Sequence, residues 1–219
     1  MRNLFDQYDQ PENKLTHALV CTLQSDPKLL RPFLKQLLRI RGKLPTRKIQ
    51  VVEQQVPGEV VSGNENELKS LPDAWFYDDN DDNNGRAVLL ESKVQAGISL
   101  NQLERHARTG KRHGYESSQV VLIAVDRPKK LLPEVADAIE WRKVYEWFNK
   151  KSSHSEWALK FVEYMRVFES QMIAKNYNIR GTITMFDGLH FDKKHPYTYR
   201  DGKRLIRLFR SELQSTRLC

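Results

Sequence analysis

The chain has 219 residues, of which 39% are hydrophobic and 29% charged, with a formal net charge of +8 and a sequence pI near 9.4. It holds no apolar run near the roughly 20 residues that span a bilayer, and its first residues, MRNLFDQYDQPENK, hold no apolar segment suited to a signal peptide. With only Cys21 and Cys219 there is no disulfide framework, so a reducing, cytoplasmic compartment is expected, with Cys21 as a small buried hydrophobe.

Pro11-Glu12-Asn13 opens a helix in which Leu15, Ala18, Leu19 and Leu23 recur at helical spacing. Ser25-Asp26-Pro27 breaks it, and the leucines and Phe33 between 29 and 38 predict a second helix reaching to Gly42. Beyond Pro45, alternation rich in valine predicts a strand near 48–56, followed by bends at Gly58 and Gly63-Asn64. Ala74 to Tyr77 form a short strand, DDNDDNNG (78–85) is turn chemistry, and Arg86 to Val94 form the returning strand of a hairpin. Ser99 is a good N-cap for a helix over 100–109 that Gly110 ends.

The continuous run VVLIAV (120–125) predicts a strand buried on both faces. A helix from Pro133 to about Lys151, interrupted near Trp141, and another from Ser155 to Asn176 follow, with Trp141, Tyr145, Trp147 and Phe148 assigned to the core. Gly181 to Phe186 gives a last strand and Lys203 to Leu213 a last helix. The interleaving predicts an α/β fold, a mixed central sheet flanked by helices. Residues 1–155 are its core and 156–219 a helical and strand extension packed on it, or continuous with it.

One pattern sits badly with a purely structural strand. Glu91 and Lys93 follow the apolar Val88-Leu89-Leu90, and residues two apart on a strand project from the same face. A hairpin centred near 82–83 sets Asp73 opposite residue 92, to within about a residue. Two carboxylates and an ammonium then converge at one end of the hairpin. Paired carboxylates repel unless a cation stands between them, and hard oxygen donors suit Mg²⁺ or Mn²⁺. Zinc is disfavoured, because no Cys/His cluster shows ligand spacing. A single surface ion pair, Glu91 with Lys93, is the plainer alternative.

Leu71-Pro72-Asp73, with Glu91-Ser92-Lys93 eighteen residues later, resembles the PD-(D/E)xK nuclease superfamily, whose fold is that of type II restriction endonucleases. Pro11-Glu12-Asn13-Lys14-Leu15-Thr16 is similar to that superfamily's first-helix segment, and Asn101-Gln102-Leu103 to its glutamine-bearing helix. The likeness spans about residues 10–126. It implies a restriction-endonuclease-like αβββαβ core, metal ligation by Asp73, Glu91 and Glu12, and a catalytic lysine at Lys93. Gln102 would lie near that lysine or the attacking water. The plain alternatives are a first-turn acid favoured by the helix dipole for Glu12 and an exposed helix position for Gln102.

Basic residues crowd three stretches: one includes Arg31, Lys35, Arg39 and Arg41 to Lys48, the second Arg105, Arg108, Lys111 and Arg112, and the third runs from Lys193 to Arg210. Lys35, Arg39 and the second group are the candidate phosphate contacts. His106 and His113 are weaker candidates, read mainly as solvated, and His17 as a polar helix position. Together these features lead to the expectation of a Mg²⁺- or Mn²⁺-dependent deoxyribonuclease, in defence or repair, with DNA as partner, no membrane, and either a homodimer or two successive nicks for duplex cleavage. An RNase or junction enzyme of the same fold, and a non-catalytic nucleic-acid-binding or assembly module, are the alternatives, and a further partner domain is compatible with the chain.

Overall fold

A computed structural model describes residues 5, 8–40, 49–57, 71–78, 85–94, 97, 99–115, 117–125, 127–128 and 135–175. The chain divides into two compact units, Met1–Met165 and Arg166–Cys219. The described part of the second is the helical stretch 166–175, and all that follows concerns the first. The expected strand at 181–186, the helix at 203–213, the turn at 79–84 and the basic residues at 41–48 and 193–210 lie outside the described residues.

The molecule is an α/β protein built on a five-stranded mixed sheet in the order β1-β2-β3-β4-β5. These strands are Ile49–Glu53, Ala74–Asp78, Arg86–Lys93, Ser117–Ala124 and Val135–Glu140. The first three form an antiparallel meander, and β4 and β5 add in parallel beyond β3. The helices are α1 (Pro11–Ser25), α2 (Pro27–Pro32, continued by a π turn at Phe33–Leu37), α3 (Leu100–Arg112), α4 (Trp141–Lys151) and α5 (Glu156–Lys175). The expected order of helix, three strands, helix and strand is therefore present.

Strand alternation divides the core into two layers. On one face Trp75, Tyr77, Ala87, Leu89, Val120 and Val135 pack with Leu103 of α3. On the other, Phe76 meets Phe33, which in turn meets Phe148 of α4. Trp75, Phe76, Phe33, Trp141 and Phe148 are all fully buried, and each such side chain contributes about 1.5–3 kcal/mol relative to exposure. Trp141, Tyr145 and Phe148 thus belong to the core, as expected, whereas Trp147 is only partly buried.

Three expectations need correcting. Gly110 does not end α3. It is buried inside the helix, where a Cβ would come within 2.6 Å of the Ser118 side chain, so the glycine permits close helix–strand approach. The helix stops instead at His113, followed by Gly114 with φ of +80°. Residues 135–140 form a strand, not the first part of a helix. A bulge at Val120/Val121 makes Ala136 an extra residue, so Val135 and Ala138 bury together and mimic helical spacing. Finally, α2 and its π turn close at Leu38, four residues short of Gly42, where Arg39 takes φ of 50° and Ile40 N–H donates to the Leu34 carbonyl.

Candidate functional site

Pairing of Ala74 with Leu90 sets Asp73 beside the Glu91–Ser92 step, within a residue of the expected register. The Ser92 N–H donates to Asp73 Oδ2 at 2.6 Å, so the strand backbone itself holds this carboxylate in place. Glu91 and Lys93 continue the Ala87, Leu89 row on the face that α3 covers, while Ser92 turns to the opposite layer. Lys93 Nζ stands 2.6 Å from Glu91 Oε1. Glu91 is 1% exposed and Lys93 13%, so this is a buried network, not the surface ion pair of the plainer alternative.

The other Glu91 oxygen, Oε2, meets His106 Nε2 at 2.9 Å, and His106 is wholly buried. Here the sequence reading was wrong: His106 is not solvated. A signal existed, because Leu103, His106 and Gly110 recur at helical spacing and form the buried stripe of α3. With Nε2 donating to the carboxylate, Nδ1 is left without a hydrogen-bond partner among the described residues. Gln102 is partly buried one turn before His106 on the same helix, whose N-terminus Ser99 caps by accepting from the Gln102 N–H.

Glu12 arrives from the opposite layer. Its Oε1 accepts from the Val94 N–H at 3.2 Å, which ties the first turn of α1 to the residue just past β3. Asp73 feels all of this. Burial, and next the Glu91 carboxylate, push its carboxyl up to about 8, with Glu12 adding to the rise, while the Ser92 N–H and Lys93 pull it partly back.

Arg105, Arg108, Lys111 and Arg112 are all exposed on the side of α3 turned away from the sheet. Lys35 and Arg39 are exposed too, but Phe33 seats their segment on the Phe76 face, the layer opposite α3. The two basic groups therefore do not form one surface beside the same constellation.

A second cluster went unseen in the sequence. His17 Nδ1 lies 2.9 Å from Glu53 Oε2, and Cys21 Sγ lies 3.4 Å from His17 Nε2. Cys21 is partly exposed and turned toward these groups, not a small hydrophobe sealed in the core. A Cys/His/Glu grouping thus exists after all. His17 and Cys21 carry its local signal at i and i+4, but Glu53 joins only through the fold.

Comparison with protein-family models, curated proteins and solved structures finds no match to this chain.

Proposed function

We propose that the protein is a divalent-metal-dependent nuclease of the PD-(D/E)xK kind that hydrolyses phosphodiester bonds in DNA. The observation that carries this reading is the joint placement of Asp73, Glu91 and Lys93 at one end of the β2–β3 pair, with Asp73 pushed up to about 8. A buried acid raised by a second acid is a site short of positive charge, and perturbed carboxylates gathered this way mark functional sites.

The donor set is all oxygen, which fits Mg²⁺ or Mn²⁺. Asp73 and Glu91 would hold the ion, with Glu12 assisting from α1. Glu91 has both oxygens engaged by Lys93 and His106, and each carboxylate oxygen keeps a second lone pair that would be open to a ligand. The chemistry a divalent ion would supply there is polarisation of a phosphoryl oxygen and acidification of a bound water.

The chain's own residues do the rest. Lys93 is buried along its stem, and its ammonium has three donors, enough to hold a phosphate oxygen while still serving Glu91. His106 fixes the orientation of the Glu91 carboxylate from behind, so Glu91 need not be reordered when substrate arrives. Gln102, one turn nearer the start of α3, is suited to orient water or a phosphate oxygen. The outward cations of α3 supply contacts to neighbouring phosphates, which position the strand without reading its sequence.

The closed pairing of Glu91 with Lys93 and His106 favours a second reading, a nucleic-acid-binding module in which the network is structural. One assay separates the two. Wild type and Lys93→Ala are incubated with plasmid, linear duplex, single-stranded DNA and RNA, with Mg²⁺ or with EDTA. Metal-dependent DNA cleavage abolished by Lys93→Ala supports the nuclease, with a loss of 10²-fold or more expected for a positioned group acting in the transition state. Salt-sensitive binding without cleavage in either protein would sink it in favour of the module.

A further inference from the structure

We propose that His17, Cys21 and Glu53 form a second metal site, one that takes a thiophilic divalent cation of the zinc type. The site lies on the face of the sheet opposite Glu91 and Lys93. His17 and Cys21 stand one turn apart on α1, and Glu53 ends β1. Glu53 pairs with Ala74, on the α1 side of the sheet, whereas its neighbour Val52 packs with the α3 layer.

A sulfur, an imidazole nitrogen and a carboxylate oxygen from these residues all lie within 4.8 Å of one another. Zinc–ligand distances of about 2.0–2.3 Å at tetrahedral angles require neighbouring donors to be about 3.3–3.6 Å apart. With His17 Nδ1 as its one donor, Cys21 Sγ stands 3.8 Å away and the Glu53 oxygens 2.9 and 3.2 Å, so each lies within a few tenths of an ångström of that spacing. Little rearrangement is needed to admit an ion.

The charge balance agrees. A thiolate, a carboxylate and a neutral imidazole neutralise a dication, which suits side chains only 13% exposed at His17 and 16% at Glu53. Three protein donors with partial exposure leave room for one water as a fourth ligand, the pattern of open zinc sites. Tyr8 closes one side, its hydroxyl 3.4 Å from Glu53 Oε2 and its ring set edge-on against His17.

The order Cys–His–Glu is also that of a thiol nucleophile with its base and orienting acid. The surroundings disfavour that use. Burial, then the Glu53 carboxylate, push the Cys21 thiol up to about 11, so thiolate is scarce at neutral pH unless a cation replaces the proton. An ion here clips α1 to the end of β1. The next residue, Gln54, donates its N–H to the Asp73 carbonyl at 3.2 Å, so the clip bears on the strand junction from which Asp73 projects.

The site does not depend on the nuclease reading, and its test does not use catalysis. Full-length protein, stripped with a chelator, is titrated with Co²⁺, whose bond to thiolate gives a charge-transfer band in the near ultraviolet. One equivalent per chain should develop that band and the visible absorption of four-coordinate cobalt, and Zn²⁺ should bleach both. Cys219→Ser should titrate as wild type, Cys21→Ser should show no band, and Glu53→Gln should bind about 10–100-fold more weakly. A wild type without the band, or a band that persists in Cys21→Ser, would overturn the proposal. Should Cys21→Ser fail to fold, wild type alone decides: Zn²⁺ must slow alkylation of Cys21 but not of Cys219, and unchanged Cys21 alkylation counts against the site.

Discussion

His106 carries the hydrogen bond to Glu91 on one side and packing on the other. Removing it leaves one buried oxygen of Glu91 without its donor while Lys93 still matches the charge, and a hydrogen bond to a charged group contributes about 1.5–3 kcal/mol. His106→Ala should therefore lower unfolding stability by about 2 kcal/mol in urea titration. His106→Gln, which keeps a donor toward Glu91, should recover part of that loss. Asp73 gives the pH counterpart. Its folded-state pKa lies above its ordinary carboxylate value, so the folded chain holds a proton that the unfolded chain has released. Stability is then greatest below about pH 4 as far as this group is concerned, and falls as pH rises toward about 8. In metal-free protein, thermal midpoints across that window should fall less steeply for Asp73→Asn than for wild type. Added Mg²⁺ should stabilise wild type more at pH 8 than at pH 5. The convergence of Asp73, Glu91 and Lys93 was legible in the sequence because strand period and hairpin length fix it locally. The histidine partners of Glu91 and Glu53 were not, because His106 and His17 reach them across helix–sheet contacts that no spacing encodes.

Among the elements, α3 is the one whose placement tolerates least change. Gly110 lets it lie against β4 with nothing between the helix backbone and the Ser118 side chain. Gly110→Ala has better helix propensity, yet its methyl would meet Ser118 Cβ and Oγ at 2.6 Å. The expected result is a net destabilisation of about 1–3 kcal/mol, from overpacking, read as a lowered melting temperature; Ser118→Gly in the same chain should relieve it. The glycine looked like a helix stop because sequence alone does not separate a C-terminal glycine from one that makes room for a strand. The misread of 135–140 has a related origin. A bulge changes a strand's burial from every second residue to every third, and only the pairing with β4 reveals that. By contrast, β2, β3 and β4 were legible because short continuous apolar runs suit strands buried on both faces, and α1 because its leucines repeat at helical spacing.

For the molecule as a whole, the sheet separates two chemistries. An oxygen-donor constellation lies under α3, and a sulfur- and nitrogen-bearing cluster lies under α1. The exposed cations divide in the same way. If the outer face of α3 carries the nucleic acid, neutralising Arg105, Arg108, Lys111 and Arg112 should flatten the dependence of log affinity on log salt by about 0.9 per lost duplex phosphate contact. Neutralising Lys35 and Arg39 on the other layer should leave that slope nearly unchanged. Fluorescence-anisotropy titrations with labelled duplex at several salt concentrations distinguish the two sets. Equal slopes for both would argue against docking on α3.

The parallel step from β3 to β4 through α3 also sets an order of events in folding. The β2–β3 hairpin closes over the seven residues between Asp78 and Arg86, whereas β4 joins β3 only after a helical crossover, and more distant pairings form more slowly. Until α3 docks, the Glu91 carboxylate stands on an open sheet face in contact with water. His106 arrives with the same helix that removes that water. The charge is thus desolvated and matched in one motion, and the chain avoids passing through a state in which an unpaired carboxylate is already buried.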